Sequence, residues 1–355
     1  MQITIERTQH PKAKPDWNNL GFGKYFTDHM FIMQHTAEGW QPGKIVPYAP
    51  FQMDPSAMVL HYGQAVFEGM KAYRAKDGRI LLFRPEANFK RLNLSNQRLC
   101  IPAIDEAYAL AALEELIRLE KDWIPTAEGT SLYIRPFIFA TDAMLGVKAS
   151  TTYTFAIILS PVGAYYAHGL QPVKIYVEDE YVRAVKGGMG FTKTAGNYAA
   201  SLLAGEVAKQ RGYEQVLWLD GVHKRYIEEV GSMNIFFKFN DELVTPPLGG
   251  SILGGITRDS IIHMAKDLGV TVNERLLPVD EVFERSAKGE LDEVFGSGTA
   301  AVVSPVGELK WEDQVITVGG GQMGKLTEEL YNRLTGIQWG DIPDPYGWSH
   351  EVKMD

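Results

Sequence analysis

Apolar and polar positions along the chain alternate between two periods, and the changes of period mark out its elements. From Met58 an apolar segment, a charged turn at Asp77-Gly78 and the strand-like run Arg79 to Phe83 predict paired strands. Pro85 can open a helix running through Asn96. From Asp105 to Trp123 the helical period returns, with Leu110, Leu113 and Ile117 on one face and Glu114, Arg118 and Lys121 elsewhere. Strand-like runs follow at Ser131 to Phe139 and Tyr153 to Leu159. Ser160 to Pro172 then collects prolines, glycines and tyrosines with little period, as a linker does. Beyond it the pattern predicts a strand at Val173 to Val177, a glycine-rich segment and a helix from about Tyr198 to Arg211. Strands at Gln215 to Leu219 and Asn234 to Phe239 come next, and then a helix from about Thr257 to Leu268.

The second half lacks the regular strand-and-crossover rhythm of a doubly wound parallel sheet, so an α+β or mixed-barrel arrangement is expected. At 355 residues the chain exceeds the roughly 250 to 300 at which single cores stop growing, so two domains are expected. The pattern divides it into an N-terminal domain over 1–163, a linker over 164–174 and a second domain over 175–355.

Composition changes this picture little: 45% hydrophobic and 22% charged residues describe an ordinary globular chain. A net charge of −9 gives no footprint for nucleic acid or an anionic membrane. Apolar runs such as Phe155 to Leu159 are far too short to span a bilayer, and Met1 to Trp17 has no apolar signal region, so a cytoplasmic location is expected. The single cysteine, Cys100, excludes an internal disulfide, and its apolar neighbours predict a buried, inert thiol. The histidines show no metal-ligand spacing, and no metal is expected.

Four segments suggest chemistry. Gly187 to Tyr198 packs four glycines around Lys193 just before a helix; glycines admit a bulky ligand, and a desolvated lysine amine can form a Schiff base. The same segment is compatible with a mobile surface loop. Glu228 and Glu229 abut a strand that should be buried, where a carboxylate needs a partner, either a structural cation or a protonated ring nitrogen. Gly254 to Arg258 opens an amphipathic helix whose free N–H groups suit phosphate, and Phe295 to Ala301 is a small-residue turn that could add donors; each is equally readable as a tight turn. Arg91, in the helix after Pro85, and Arg135, inside a strand, each call for an anion, whether from a salt bridge or from a ligand.

Taken in order, these segments resemble the branched-chain aminotransferases, members of the class IV group of pyridoxal-phosphate enzymes. The likeness runs from about Gly21 to Gly340. It includes Phe-Thr-Asp-His-Met at Phe26 to Met30, Phe-Glu-Gly-Met-Lys at Phe67 to Lys71 and Leu-Phe-Arg-Pro at Leu82 to Pro85. It continues through Glu214 to Leu219, Glu-Val-Gly-Ser-Met-Asn at Glu229 to Asn234, and Glu-Val-Phe-Gly-Ser-Gly-Thr-Ala at Glu293 to Ala300. The resemblance implies a class IV fold with a small N-terminal α/β domain and a larger pseudo-barrel domain.

It also implies roles. Lys193 would hold pyridoxal 5'-phosphate covalently, Tyr198 would hydrogen-bond its phenolic oxygen and Glu229 would pair with its ring nitrogen. Arg91, Ile256, Thr257 and Thr299 would bind its phosphate, with Ser232 nearby, where some members have threonine. Phe22, Tyr62, Phe67 and Tyr133 would enclose a branched apolar side chain, and the backbone of Thr299 and Ala300 would meet the substrate carboxylate. Arg135 would take the distal carboxylate of glutamate or 2-oxoglutarate. The loop Leu145-Gly146-Val147 would reach into a partner's site, which implies a homodimer. Some members have a Cys-x-x-Cys pair where this chain has Ala301 and Ser304, so thiol regulation there is not expected. The competing readings are a D-amino acid aminotransferase, a lyase acting on aminodeoxychorismate, and, from another class, a non-catalytic binding protein.

Overall fold

The computed structural model describes residues 3–163 and 170–354. The chain divides into two compact units, Met1–Ala167 with Thr192–Ala195 and Gly336–Asp355, and His168–Phe191 with Gly196–Thr335. This division departs from the linear reading in two places, since the short segment around Lys193 and the C-terminal segment both group with the first unit. Of the expected linker, residues 164–169 lie outside the described residues.

In the first unit nine strands join the C-terminal strand Ser349–Val352 in one sheet. They are β1 (Thr4–Ile5), β2 (His29–Thr36), β3 (Gly39–Trp40), β4 (Lys44–Pro47), β5 (Ala65–Phe67), β6 (Met70–Arg74), β7 (Ile80–Phe83), β8 (Ser131–Ala140) and β9 (Tyr153–Val162). The order is β1-β4-β2-β9-β8-β6-β7 and then the C-terminal strand, with β3 beside β2 and β5 beside β8. The hairpin expected at Asp77-Gly78 joins β6 to β7. The antiparallel ladder of β8 with β9 runs from Ser131 opposite Val162 to Ala140 opposite Tyr153. Ser160 to Val162, expected in the linker, are therefore strand, because long-range pairing overrides the local proline and glycine signal.

Three helices accompany the sheet: α1 (Met58–Tyr62), α2 (Pro85–Arg98) and α3 (Glu106–Leu119). Pro85 opens α2, and the Asp105 side chain caps α3 by accepting from the Tyr108 N–H at 3.0 Å. Phe89 and Leu92 of α2 and Leu113, Leu116 and Ile117 of α3 are fully buried in one core with Leu132, Ile134, Phe155, Ile157 and Leu159 of the sheet. Each such side chain contributes about 1.5–3 kcal/mol by leaving water. Strand side chains alternate between faces, so Tyr133 and Arg135 point away from that core, and the register puts Lys71 directly across from Tyr133. Cys100 corrects the sequence reading. It stands just past α2 at φ 56°, and its thiol is exposed rather than buried, because the left-handed turn leads the chain off the core.

The second unit is built on β10 (Val173–Glu178), β11 (Gln215–Leu219), β12 (Ile227–Val230), β13 (Asn234–Phe239), β14 (Leu243–Thr245), β15 (Val272–Glu274), β16 (Leu291–Gly298), β17 (Val302–Trp311) and β18 (Gln314–Thr317). The order is β12-β11-β10-β17-β16-β13-β14-β15 with β18 on β17, and parallel and antiparallel pairs are mixed in a half-barrel sheet. The helices are α4 (Ala195–Ala199), α5 (Leu202–Gln210), α6 (Ile256–Asp267), α7 (Val279–Ala287) and α8 (Lys325–Trp339). The single helix expected from Tyr198 to Arg211 is thus two, α4 and α5. The break at Ser201, whose N–H bonds the Tyr198 carbonyl at 3.1 Å, leaves Leu202 and Leu203 exposed. Among the described residues no helix is long and apolar enough to cross a membrane, and no group of side chains could hold a metal ion.

Candidate active site

Lys193 does not sit in a solvated loop. Thr194 bridges Val66, the Phe67 N–H donates to the Lys193 carbonyl at 3.0 Å, and the Thr194 hydroxyl donates to the Ala65 carbonyl at 2.7 Å. The Lys193 N–H in turn donates to the Ser95 hydroxyl of α2 at 3.0 Å. The segment thereby extends the sheet beside β5, with Thr192 and Thr194 buried and Lys193 half-buried.

Around the lysine amine the first unit gathers aromatic rings and a second cation. The Lys193 amine is 5.0 Å from the centre of the Phe67 ring, and the Arg135 guanidinium is 4.7 Å from that same ring. Arg135 also donates to the Tyr133 hydroxyl at 3.1 Å, and Tyr133 meets Phe22 edge-on with centroids 4.9 Å apart. The Arg135 Nε is buried with no partner among the described residues, as suits a cation aimed at an anion. Gly69 makes room for this arrangement: a Cβ there would lie 2.1 Å from the Tyr133 hydroxyl. Lys193, Phe67, Arg135, Tyr133 and Phe22 therefore lie together in the first unit.

Arg91 is half-buried in α2, and its partner is an acid to which the sequence reading gave no role. Glu68 is 0% exposed and accepts from Arg91 Nε and Nη2 at 2.8 Å each. Asn88 adds a third bond at 2.8 Å. Burial pushes the Glu68 carboxyl up, but Arg91, with Lys193 and Asn88, outweighs that and holds it below the usual carboxylate range. Glu68 was legible only as a lone acid within the apolar run from Val66 to Tyr73. Lys71, on the polar face opposite Tyr133, was likewise missed, and burial brings its amine down to about 8.

Two predicted substrate residues stand apart from this cluster. Tyr62 is on the surface, its hydroxyl donating to the Leu145 carbonyl, and Val147 is 82% exposed. The base of that loop is fastened by Asp142, which accepts from the Thr152 hydroxyl at 2.7 Å and the Thr151 N–H at 3.0 Å. Burial opposes ionisation of Asp142, but these bonds, with Lys148 nearby, outweigh it and take its carboxyl down to about 2.

In the second unit Glu229, on β12, is buried and accepts from the Leu253 N–H at 2.7 Å, with Arg183 3.4 Å away. Its neighbour Glu228 accepts from the Ser251 hydroxyl; burial, partly offset by Ser251 and Arg183, pushes its carboxyl up, and its Oε2 has no partner among the described residues. Tyr198 lies in α4, and Ser232 is exposed in the turn from β12 to β13. Ile256 and the buried Thr257 form the first turn of α6, whose N-cap Gly255 has no side-chain capping bond. A Cβ at 255 would lie 2.0 Å from the Asn234 Oδ1, so a larger residue there would have to displace that side chain. Asn234 pairs in register with Ser297, whose buried hydroxyl lacks a partner among the described residues, and Thr299 and Ala300 follow in the turn from β16 to β17.

Comparison with known proteins gives a concordant result. The model of the family described as amino-transferase class IV matches residues 65–309. The chain is 59% identical over 351 residues to branched-chain-amino-acid aminotransferase 2 of Bacillus subtilis (strain 168), covering 99% of this chain and 97% of that protein. It is 50% identical over 336 residues to the branched-chain-amino-acid aminotransferase of Mycolicibacterium smegmatis, covering 93% of this chain and 91% of the relative. Among solved structures, the Escherichia coli branched-chain amino acid aminotransferase aligns with a TM-score of 0.76 at 31% identity, over 91% of this chain and 99% of that one. A second solved branched-chain amino acid aminotransferase, complexed with N-(5'-phosphopyridoxyl)-L-glutamate, aligns with a TM-score of 0.73 at 27% identity, over 91% and 98% of the two chains.

Proposed function

The chain belongs to the class IV aminotransferases, within the branched-chain-amino-acid aminotransferases, and on that premise we propose that it transfers the amino group of L-leucine, L-isoleucine or L-valine to 2-oxoglutarate using pyridoxal 5'-phosphate held on Lys193. Class IV aminotransferases depend on this cofactor. The observation that supports the reading best is the cluster of the first unit, where one amine and one guanidinium face the same Phe67 ring beside Tyr133 and Phe22.

The residues present fit the cofactor. A phosphate needs several fixed donors: within the first unit Arg91 would supply a guanidinium, and within the second α6 opens with the N–H groups of Ile256 and Thr257 behind Gly255, where a Cβ would crowd the Asn234 side chain. The Ser297 hydroxyl, without a partner among the described residues, and Thr299 two residues on would suit an anion as well. When bound, the cofactor supplies an aldehyde that captures amines and a ring that withdraws electrons from the adjacent carbon.

The first unit's share is the reacting amine and the substrate. Lys193 would hold the cofactor through its amine, and the same amine would move the proton at the substrate α-carbon as general base and acid. Phe22, Phe67 and Tyr133 would enclose the branched side chain, excluding water. Arg135 would meet the distal carboxylate of 2-oxoglutarate, so that one pocket serves an apolar and an acidic substrate in turn. The second unit's share is orientation. Glu229 would pair with the ring nitrogen, Tyr198 with the phenolic oxygen, Ser232 and Thr257 would add hydroxyls, and the N–H groups of Thr299 and Ala300 would take the α-carboxylate. The exposed loop with Leu145 and Val147, and the exposed Tyr62 beneath it, support a homodimer in which that loop completes a partner's pocket. A cytoplasmic location completes the reading.

The test is an absorption spectrum of the purified protein before and after L-leucine, with 2-oxoglutarate then added. A coloured protein bleached by L-leucine and restored by 2-oxoglutarate is the expected result. A protein that responds to D-alanine and not to L-leucine would favour a D-amino acid aminotransferase. One that never takes up pyridoxal phosphate would favour a binding protein.

A further inference from the structure

We infer that Glu68 is a positioning residue that sets the edge Arg91 presents to the cofactor's phosphate, and that this orientation matters more to phosphate binding than the net charge of the anchor. The inference rests on the assignment of Arg91 to the phosphate made above.

The geometry is specific. Glu68 spans the break between β5 and β6, where its own N–H donates to the Pro136 carbonyl at 2.8 Å, and the preceding Phe67 N–H is tied to the Lys193 carbonyl at 3.0 Å. Its position is thus fixed by the same backbone that fixes Lys193. Its two oxygens take Arg91 Nε and Nη2 at 2.8 Å each, a side-on fork that fixes both the plane and the rotation of the guanidinium. The hydrogens outside the fork, on Nη1 and on the far side of Nη2, then have a direction set by the acid. Asn88, one turn before Arg91 on α2, donates to the same carboxylate at 2.8 Å and to the Gly69 carbonyl at 3.2 Å, so the acid cannot swing with the arginine.

Simple attraction for phosphate would not call for this acid. A fully buried carboxylate cancels the arginine's charge and costs desolvation, and an unpaired Arg91 would attract a phosphate dianion more strongly at long range. What the carboxylate adds is direction: a long side chain with several rotatable bonds is locked before the ligand arrives, so less freedom is lost on binding. The two accounts predict opposite signs when the charge is removed and the shape kept.

The experiment titrates cofactor-free protein with pyridoxal phosphate and with pyridoxal, following absorbance, in the wild type, Glu68→Gln, Arg91→Met and the double variant. If Glu68 acts through Arg91, Glu68→Gln narrows the preference for the phosphorylated form by about tenfold, the size expected for one charge-assisted bond. Binding of pyridoxal should change by less than about twofold, since its ring and aldehyde contacts are untouched. Arg91→Met should narrow the preference at least as much, and the double variant should show no further loss. Should Glu68→Gln not fold, Glu68→Asp keeps the charge and shortens the reach; a narrowed preference supports the inference and an unchanged one overturns it. A preference that is unchanged or wider in Glu68→Gln, with Arg91→Met impaired, overturns the positioning role alone. A wild type that binds pyridoxal as tightly as its phosphate overturns the phosphate assignment and this inference with it.

Discussion

Glu68 in the first unit and Glu228 in the second are both buried carboxyls, and their surroundings shift them in opposite directions. Glu68 is met by Arg91 at two points and by Asn88, and it is held ionised although burial opposes it. Glu228 has the Ser251 hydroxyl on one oxygen and no partner among the described residues on the other, and burial pushes it toward the neutral acid. The contrast shows that the donors around Glu68 are complete before any ligand arrives. Other buried polar atoms are held in reserve in both units, the Arg135 Nε of the first and the Ser297 hydroxyl of the second among them. A buried charge is tolerated where the donors are complete and is suppressed where they are not.

Removing each acid is the strongest way to break this comparison. Glu68→Ala should cost about 3–5 kcal/mol, because it removes one side of a buried ion pair. Glu228→Gln should stay within about 1 kcal/mol, since the amide oxygen can still accept from the Ser251 hydroxyl and carries no charge that burial opposes. Urea unfolding of the two variants decides; similar losses would erase the distinction between the two acids.

A smaller effect sharpens the first unit's half. Arg135→Ala should lower the efficiency of the 2-oxoglutarate half-reaction by about 10- to 100-fold, the value of charge-assisted bonds to a carboxylate. The leucine half-reaction should fall several times less, and single-turnover kinetics with each substrate would measure the split. Equal losses would remove Arg135 from the dual-substrate role.

The smallest effects lie in pH dependence. Burial lowers the Lys71 amine from 10.5 to about 8, so between those values the unfolded chain binds a proton that the folded chain has released. Its contribution to stability therefore rises with pH across that window and is lost as pH falls through about 8. The stability of Lys71→Met relative to the wild type should accordingly decline between pH 8 and 10.5, and a flat difference would contradict the burial. Asp142 shows the same sign in the acid range. Its bonds with Thr151 and Thr152 are at full strength above its ordinary value of 3.8 and are lost as pH falls through about 2. In Asp142→Asn that acid-dependent loosening, read by limited proteolysis between Thr141 and Thr152, should disappear.

What could be read from the sequence was local. Pro85 and Asp105 announced two helices, Asp77-Gly78 a hairpin, and alternation the buried face of β8. What stayed hidden depends on distant partners. Nothing in Thr192 to Ala195 shows that they join β5, nor does Ser349 to Val352 show that it pairs with β7. The helix predicted over Tyr198 to Arg211 is broken at Ser201, a break that the local period does not show, and Leu202 and Leu203 just beyond it are exposed. For the site, the aromatic and cationic residues of the first unit were legible through the family resemblance. Glu68 was not, since an acid inside an apolar run has no meaning until Arg91 and Asn88 are known to reach it.

The central claim is that the amine held beside Phe67 is the one that bonds the cofactor. Borohydride reduction of the protein loaded with pyridoxal phosphate, followed by peptide mapping, tests it directly. The account predicts a single pyridoxyl group on Lys193, absent in Lys193→Ala. A label on Lys71, whose lowered amine makes it the natural rival, or no label at all, would contradict it.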